Sequence, residues 1–239
     1  MFAGPNGSGK STIKSNLTEE LHIKLFVNAD ELEAQAKATG FIDLAQFGLD
    51  ATLQQLLEFH INSALLIKEN RVDEATRIGL EGTKIDYRQI QVDSYFASVI
   101  ADFIRRGLLD KRESFTFETV MSHSSKLDIL RQAQAAGYRT YLYFVSTENP
   151  EINIDRVRIR VEQGGHPVHP DKIRARYQRS LELLPEAIGC CSRAYIFDNS
   201  DNQSVLLAEV TEGTQLDFHT EHVPEWFFSA YYDQVSGQQ

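Results

Sequence analysis

Gly4-Pro5-Asn6-Gly7-Ser8-Gly9-Lys10-Ser11-Thr12 matches the pattern G-x-x-x-x-G-K-[ST] at every fixed position. Glycines at this spacing let the main chain turn tightly enough to aim several N–H groups at one phosphate chain, and the helix that follows adds its positive N-terminal end. In such a loop Lys10 reaches the β- and γ-phosphates and the Ser11 hydroxyl ligates Mg²⁺. The run is therefore expected to bind a nucleoside triphosphate, with Gly4, Pro5, Asn6, Gly7, Ser8, Gly9, Lys10, Ser11 and Thr12 as its lining. A loop of this kind follows a buried parallel strand. Met1, Phe2 and Ala3 are what precede Gly4, so that strand is either very short or begins upstream of Met1.

Outward from the loop, strand and helix patterns alternate. Residues 24–28 (KLFVN), 114–118 (SFTFE), 138–145 (YRTYLYFV) and 193–197 read as the second to fifth strands. Helices are expected over 9–21, 122–136, 150–163 and 170–187, the last with Ile173, Tyr177, Leu181 and Leu184 at helical spacing as a core face. This alternation predicts an α/β fold, the P-loop NTPase three-layer sandwich, with a five-stranded, mainly parallel sheet between helices. The stretch 31–94 interrupts it, and from about 40 to 94 a helical insert is expected after the second strand. Leu53, Leu56, Leu57, His60, Ile61 and Leu65 mark an amphipathic helix there, with His60 as a packed core histidine rather than a ligand. The 71–92 portion is polar with mixed periodicity and receives no assignment. Farther on, 205–210 and the aromatic stretch 226–232 suggest an added strand or two and a closing helix. No internal repeat or low-complexity linker divides the chain, so residues 1–239 are expected to form a single domain with an acidic extension from about 200 to 239.

A hydrophobic content of 42% allows a sizeable core, and no run approaches the length of a membrane span. No charged-then-apolar signal segment opens the sequence. Cys190 and Cys191 are adjacent and are expected as two reduced thiols in a cytoplasmic protein. The net charge of -10 is unevenly placed: from Ala194 onward there are eight acids and no Lys or Arg. Between Arg156 and Arg179 the balance reverses, with seven basic residues against two acids. A solvated helical face accounts for part of that cluster, and phosphate clamping for the rest. Nucleic acid would need a broader basic field.

Phosphoryl transfer needs an orienting carboxylate, Mg²⁺ and positive charge on the moving group. Asp30 closes the second strand at the sheet edge where ligands bind, and reads equally as a base for an attacking hydroxyl or as the N-cap of the next helix. Glu118 ends the third strand and reads either as a holder of metal-bound water or acceptor hydroxyl, or as a capping acid. Arg156, Arg160 and Arg176 flank the turn Gly164-Gly165-His166, whose closure as a lid would bring guanidinium groups onto a triphosphate. His166 is expected as a turn residue, not a catalyst.

Taken in order, GPNGSGKST, VNADE, SFTFETVMS, AAGYRTYLYFV and the runs RVRIRVEQGGHPV and IRARYQRS resemble the zeta toxin-like P-loop kinases, over residues 4 to about 199. The resemblance implies transfer of a γ-phosphoryl group from ATP or GTP to a hydroxyl of UDP-N-acetylglucosamine. It implies phosphate binding for Lys10, the base role for Asp30, an acceptor-site role for Glu118 and transition-state stabilisation by the arginines. The run Ile196-Phe197-Asp198-Asn199-Ser200 is similar to the family's fifth-strand ending near the nucleotide base, which implies a cofactor-binding role for Asn199. An antitoxin partner covering the nucleotide site also follows from the resemblance alone. Two other readings share the loop: a nucleotide switch or partner-binding NTPase without a small-molecule acceptor, and a polynucleotide kinase, which the net negative charge disfavours.

Overall fold

The computed structural model describes residues 1–165 and 167–236. Along the chain the strands are β1 (Phe2–Ala3), β2 (Phe26–Val27), β3 (Phe41–Asp43), β4 (Gly79–Glu81), β5 (Lys84–Asp86), β6 (Thr116–Thr119), β7 (Tyr141–Ser146), β8 (Arg193–Asp198), β9 (Val205–Thr211) and β10 (Gln215–Phe218). The helices are α1 (Lys10–Leu21), α2 (Ala29–Thr39), α3 (Leu53–Ile61), α4 (Ala64–Lys68), α5 (Val72–Ala75), α6 (Ser94–Asp110), α7 (Ser125–Ala135), α8 (Pro150–Glu162), α9 (Pro170–Glu182) and α10 (Leu184–Gly189). A π-helical segment, Phe228–Tyr232, continues the helical turn Glu225–Phe227 near the C-terminus. The chain divides into two compact units, Met1–His22 with Glu118–Gln239, and Ile23–Phe117.

In the first unit β1 is two residues long, yet both are fully buried because strands flank it on each side. It pairs in parallel with β6 (Phe2↔Glu118, Ala3↔Thr119) and with β7 (Phe2↔Tyr143, Ala3↔Phe144). Stacked rings of Phe2, Tyr143 and Tyr195, with centroids 4.9 and 5.0 Å apart, tie the middle of the sheet together. β8 continues the parallel order beside β7, and β9 and β10 extend it antiparallel. Four of the five expected parallel strands are thus present here, with two further strands in the acidic extension. The expected 170–187 helix is broken at Leu183 into α9 and α10, because Pro185 cannot donate to a carbonyl one turn back. Ile173, Tyr177, Leu181 and Leu184 are all buried, as their spacing predicts.

The second unit takes in more than the expected insert. β2 pairs in parallel with the start of β6 (Phe26↔Thr116, Val27↔Phe117). α6 carries its core, with Phe96, Ile100, Ile104 and Leu108 fully buried at four-residue spacing. The segment between is not wholly helical: β3, β5 and β4 form an antiparallel sheet. Each of these strands has three residues, too few for a two-residue period to stand out from its surroundings. His60 is the packed core histidine its spacing predicts. Its Nδ1 faces the Leu56 carbonyl at 2.7 Å and its Nε2 lies 3.1 Å from the Tyr87 hydroxyl. Burial pushes its pKa down to about 4. Among the described residues no helix is long and apolar enough to cross a membrane.

Candidate nucleotide site

β1 delivers the chain into the loop Gly4–Gly9, whose glycines sit where neighbouring groups leave no room for a Cβ. Gly4 has φ +137°, and a Cβ there would overlap the Val145 carbonyl oxygen. Gly9, with φ +96°, is the N-cap of α1 and supplies no side-chain cap, and a Cβ on it would overlap the Asn199 amide. Gly9 offers no side chain to cap the first turn of α1, where the Thr12 N–H donates back to the Gly9 carbonyl at 3.0 Å, and a helix N-terminus without a side-chain cap suits an anion. The Ser8 hydroxyl is buried in the loop without a hydrogen-bond partner among the described residues, which fits a ligand oxygen.

Lys10 opens α1 and is buried. Its Nζ donates to the Pro5 carbonyl at 2.9 Å and lies 3.9 Å from Glu118 Oε1. The exposed Ser11 donates from Oγ to Glu118 Oε2 at 3.2 Å. Lys10, Ser11 and Glu118 thus converge at the end of the loop because β6 lies beside β1. A hydroxyl and a carboxylate side by side form the hard-oxygen donor set that suits a hydrated Mg²⁺.

A second layer of side chains holds the loop's carbonyls. Asn153 Nδ2 donates to Asn6 O at 2.8 Å, and Asn199 Nδ2 donates to Ser8 O at 2.8 Å. In a trans peptide the C=O and the next N–H point in opposite directions. Holding Asn6 O and Ser8 O therefore turns the N–H groups of Gly7 and Gly9 away from the two asparagines. Asn153 is itself fixed by Thr147 Oγ1, which donates to Asn153 Oδ1. Tyr177 donates from its hydroxyl to Thr147 O at 2.7 Å, and burial raises its pKa to about 12, so it remains a donor.

The expected site residues fall into distinct places. Arg176 Nη1 donates to Asn6 Oδ1 at 3.1 Å, directly on the loop. Arg156 is engaged with main-chain carbonyls, donating to Asn199 O at 2.6 Å and Asp201 O at 3.1 Å. Arg160 is exposed near the end of α8, and its carbonyl accepts from Gly165 N at 2.9 Å. Together with the bond from Gly164 N to Val161 O, this closes the helix in the manner that favours glycine, φ being +89° at Gly164. His166 lies outside the described residues. Asp30 sits exposed in the first turn of α2, in the second unit, and the cap there is Asn28, whose Oδ1 accepts from Asp30 N at 2.9 Å. Of the two readings of Asp30, the capping role thus belongs to its neighbour.

Sequence reasoning missed Asn153, Thr147 and Tyr177 as a hydrogen-bond donor. Asn153, on the same face of α8 as the apolar Val157, was the available signal, since a buried asparagine on a helix face has to bond something.

The AAA domain model (AAA_33) matches residues 1–184. An uncharacterized protein of Haemophilus influenzae strain Rd is 30% identical over 63 residues, 26% of this chain and 45% of that protein. The chain is similar in fold to a chain of the AvrRxo1-ORF1:-ORF2 crystal structure with ATP, at a TM-score of 0.53 and 17% identity over 91% of this chain. It spans 60% of that chain. A chain of the PezAT chromosomal toxin-antitoxin system of Streptococcus pneumoniae matches at a TM-score of 0.49 and 14% identity, over 99% of this chain and 80% of that one.

Proposed function

Because the chain belongs to the AAA domain family, we propose that it is a P-loop kinase that moves the γ-phosphoryl group of ATP or GTP to a hydroxyl of a small molecule. The observation that carries the reading is the convergence of Lys10, Ser11 and Glu118 at the mouth of a loop whose carbonyls are held by Asn153 and Asn199. The residues Gly4 to Thr12 bind the phosphates, and Ser11 with Glu118 would hold Mg²⁺. When bound, the ion neutralises charge on the β- and γ-phosphate oxygens. Asp30 takes the proton of the acceptor hydroxyl as its oxygen bonds to the γ-phosphorus. The bond to the β,γ-bridging oxygen breaks, and the nucleoside diphosphate leaves with that electron pair. Arg160 and Arg176 supply positive charge to the moving group, and Arg156 contributes from its place at the 199–201 turn. Through the resemblance to zeta toxins, UDP-N-acetylglucosamine is the first acceptor to try, an antitoxin-like protein is the expected partner, and the cytoplasm is the expected compartment.

The test incubates the protein with γ-labelled ATP, Mg²⁺ and UDP-N-acetylglucosamine and resolves the products by mass. A phosphorylated sugar nucleotide absent with Lys10→Ala is the expected result. Asp30→Asn should abolish transfer while retaining nucleotide binding, and full transfer by that variant would remove Asp30 from the mechanism. ATP hydrolysis with no phosphorylated product from any metabolite pool would replace the kinase by a nucleotide switch.

A further inference from the structure

Trp226, the one tryptophan of the chain, lies beyond the residues matched by the family model and is buried against Phe144, ring centroids 6.3 Å apart. Its indole Nε1 donates to Asp198 Oδ1 at 2.8 Å. The same oxygen accepts from Ser200 Oγ at 2.8 Å, and Asp198 Oδ2 accepts from Ser200 N at 3.1 Å. Ser200 Oγ in turn accepts from Glu148 N at 2.7 Å. This carboxylate therefore gathers three donors and fixes the turn that leaves β8. Between its two anchored residues sits Asn199, with its N–H on Ser146 O at 2.8 Å, its carbonyl held by Arg156 and its side-chain amide on Ser8 O.

We infer that Trp226 is a positioning residue of the nucleotide site, acting through Asp198 and Asn199 on the Ser8–Gly9 peptide of the phosphate loop. The indole N–H holds the carboxylate, the carboxylate holds the turn, and the turn aims the Asn199 amide at the Ser8 carbonyl. That bond sets the direction of the Gly9 N–H. Without the indole N–H the turn loses one of its three donors, the Asn199 amide is aimed less sharply, and the Ser8–Gly9 peptide gains freedom that a phosphate must remove on binding. The C-terminal segment is on this view part of the machinery that binds the triphosphate, and not only a cover for the sheet edge. The inference rests on the nucleotide-binding part of the proposed function and is indifferent to the acceptor.

The test measures the Kd for Mg·ATP by calorimetry on the full chain, with Trp226→Phe, Asn199→Ala and the double variant, and thermal melts to confirm folding. Trp226→Phe should weaken ATP about fivefold and Asn199→Ala about tenfold. The double variant should be no weaker than Asn199→Ala alone, because both changes break one line of contacts. A purely structural tryptophan would instead give effects that multiply. In the wild type, ATP should shift the emission of Trp226, and Asn199→Ala should abolish the shift. If Trp226→Phe does not fold, Ser200→Ala breaks the same turn at the surface of the core and takes its place in the cycle. An ATP affinity within twofold of wild type in a folded variant, or multiplying effects, would overturn the inference while leaving the kinase reading intact. A wild-type protein that does not bind ATP would overturn both.

Discussion

In the unit formed by Met1–His22 and Glu118–Gln239, buried and half-buried polar side chains end on the main chain of the phosphate loop and of the turn that leaves β8. Asn153 holds Asn6 O, Asn199 holds Ser8 O, Lys10 reaches Pro5 O, and Arg156 reaches the 199–201 turn. In the unit Ile23–Phe117 several polar side chains instead meet one another. His60 meets Tyr87, and Arg71 bonds both Glu74 and Asp93 while its guanidinium lies 4.9 Å from the Phe96 ring centre. Asp93 also caps α6, accepting from Tyr95 N at 3.0 Å. The carboxylate partners hold the Arg71 guanidinium above its usual pKa, with the Glu74 hydrogen bond the largest cause. The first pattern costs side-chain freedom to orient N–H groups toward something absent from the chain, as a binding loop must. The second closes on itself and serves the fold.

Three measurements break or sharpen this contrast. The largest effect should come from Phe96→Ala, which empties the centre of the second unit. Urea unfolding should show a loss of about 4 kcal/mol, with ATP affinity of the folded protein unchanged within twofold. A large loss of ATP affinity in that variant would end the division of labour between the two polar patterns.

Next is the acid sensitivity of His60. Its folded pKa is about 4 and its ordinary value 6.5, so the unfolded chain takes up a proton that the folded chain refuses. Stability from this residue is complete above pH 6.5, drains as the pH falls toward 4, and levels off below that. The loss should reach about 3 kcal/mol. His60→Leu should remove this part of the slope, and an unchanged slope in the variant would show that other groups carry it.

The smallest effect belongs to Asn153→Ala. It releases the Asn6 carbonyl, and the ATP Kd should rise about tenfold, about 1.4 kcal/mol, with the midpoint of thermal unfolding lowered only slightly. A large fall in stability with no change in Kd would move Asn153 into the self-satisfied class.

Much of the site was legible because its chemistry is local. Loop, helix start, Lys10 and Ser11 occupy nine consecutive residues, and the turn and helix geometry that brings them together is decided within that span. Glu118 was legible for a different reason: it ends a strand, and strand ends in a parallel sheet collect on the side where ligands bind. The breaks in the reading have physical causes too. β3, β4 and β5 are too short to carry a period, and their pairing is settled by Ile42 and Ile85 being fully buried across from one another. The break between α9 and α10 was hidden because the helical spacing of Ile173, Tyr177, Leu181 and Leu184 runs across Leu183, α10 resuming directly after it.

The sequence by itself determined the phosphate loop, the alternation of strands and helices, and the core face of α9, since each depends on spacing over a few turns or a few residues. Tertiary structure alone decided which side chains would hold the loop's peptides in place. Asn153 and Asn199 bond carbonyls 147 and 191 positions away in the chain, and no local propensity connects such partners. They meet because parallel strands carry their C-terminal ends to one edge of a sheet, where a buried amide must find an acceptor or lose its hydration uncompensated.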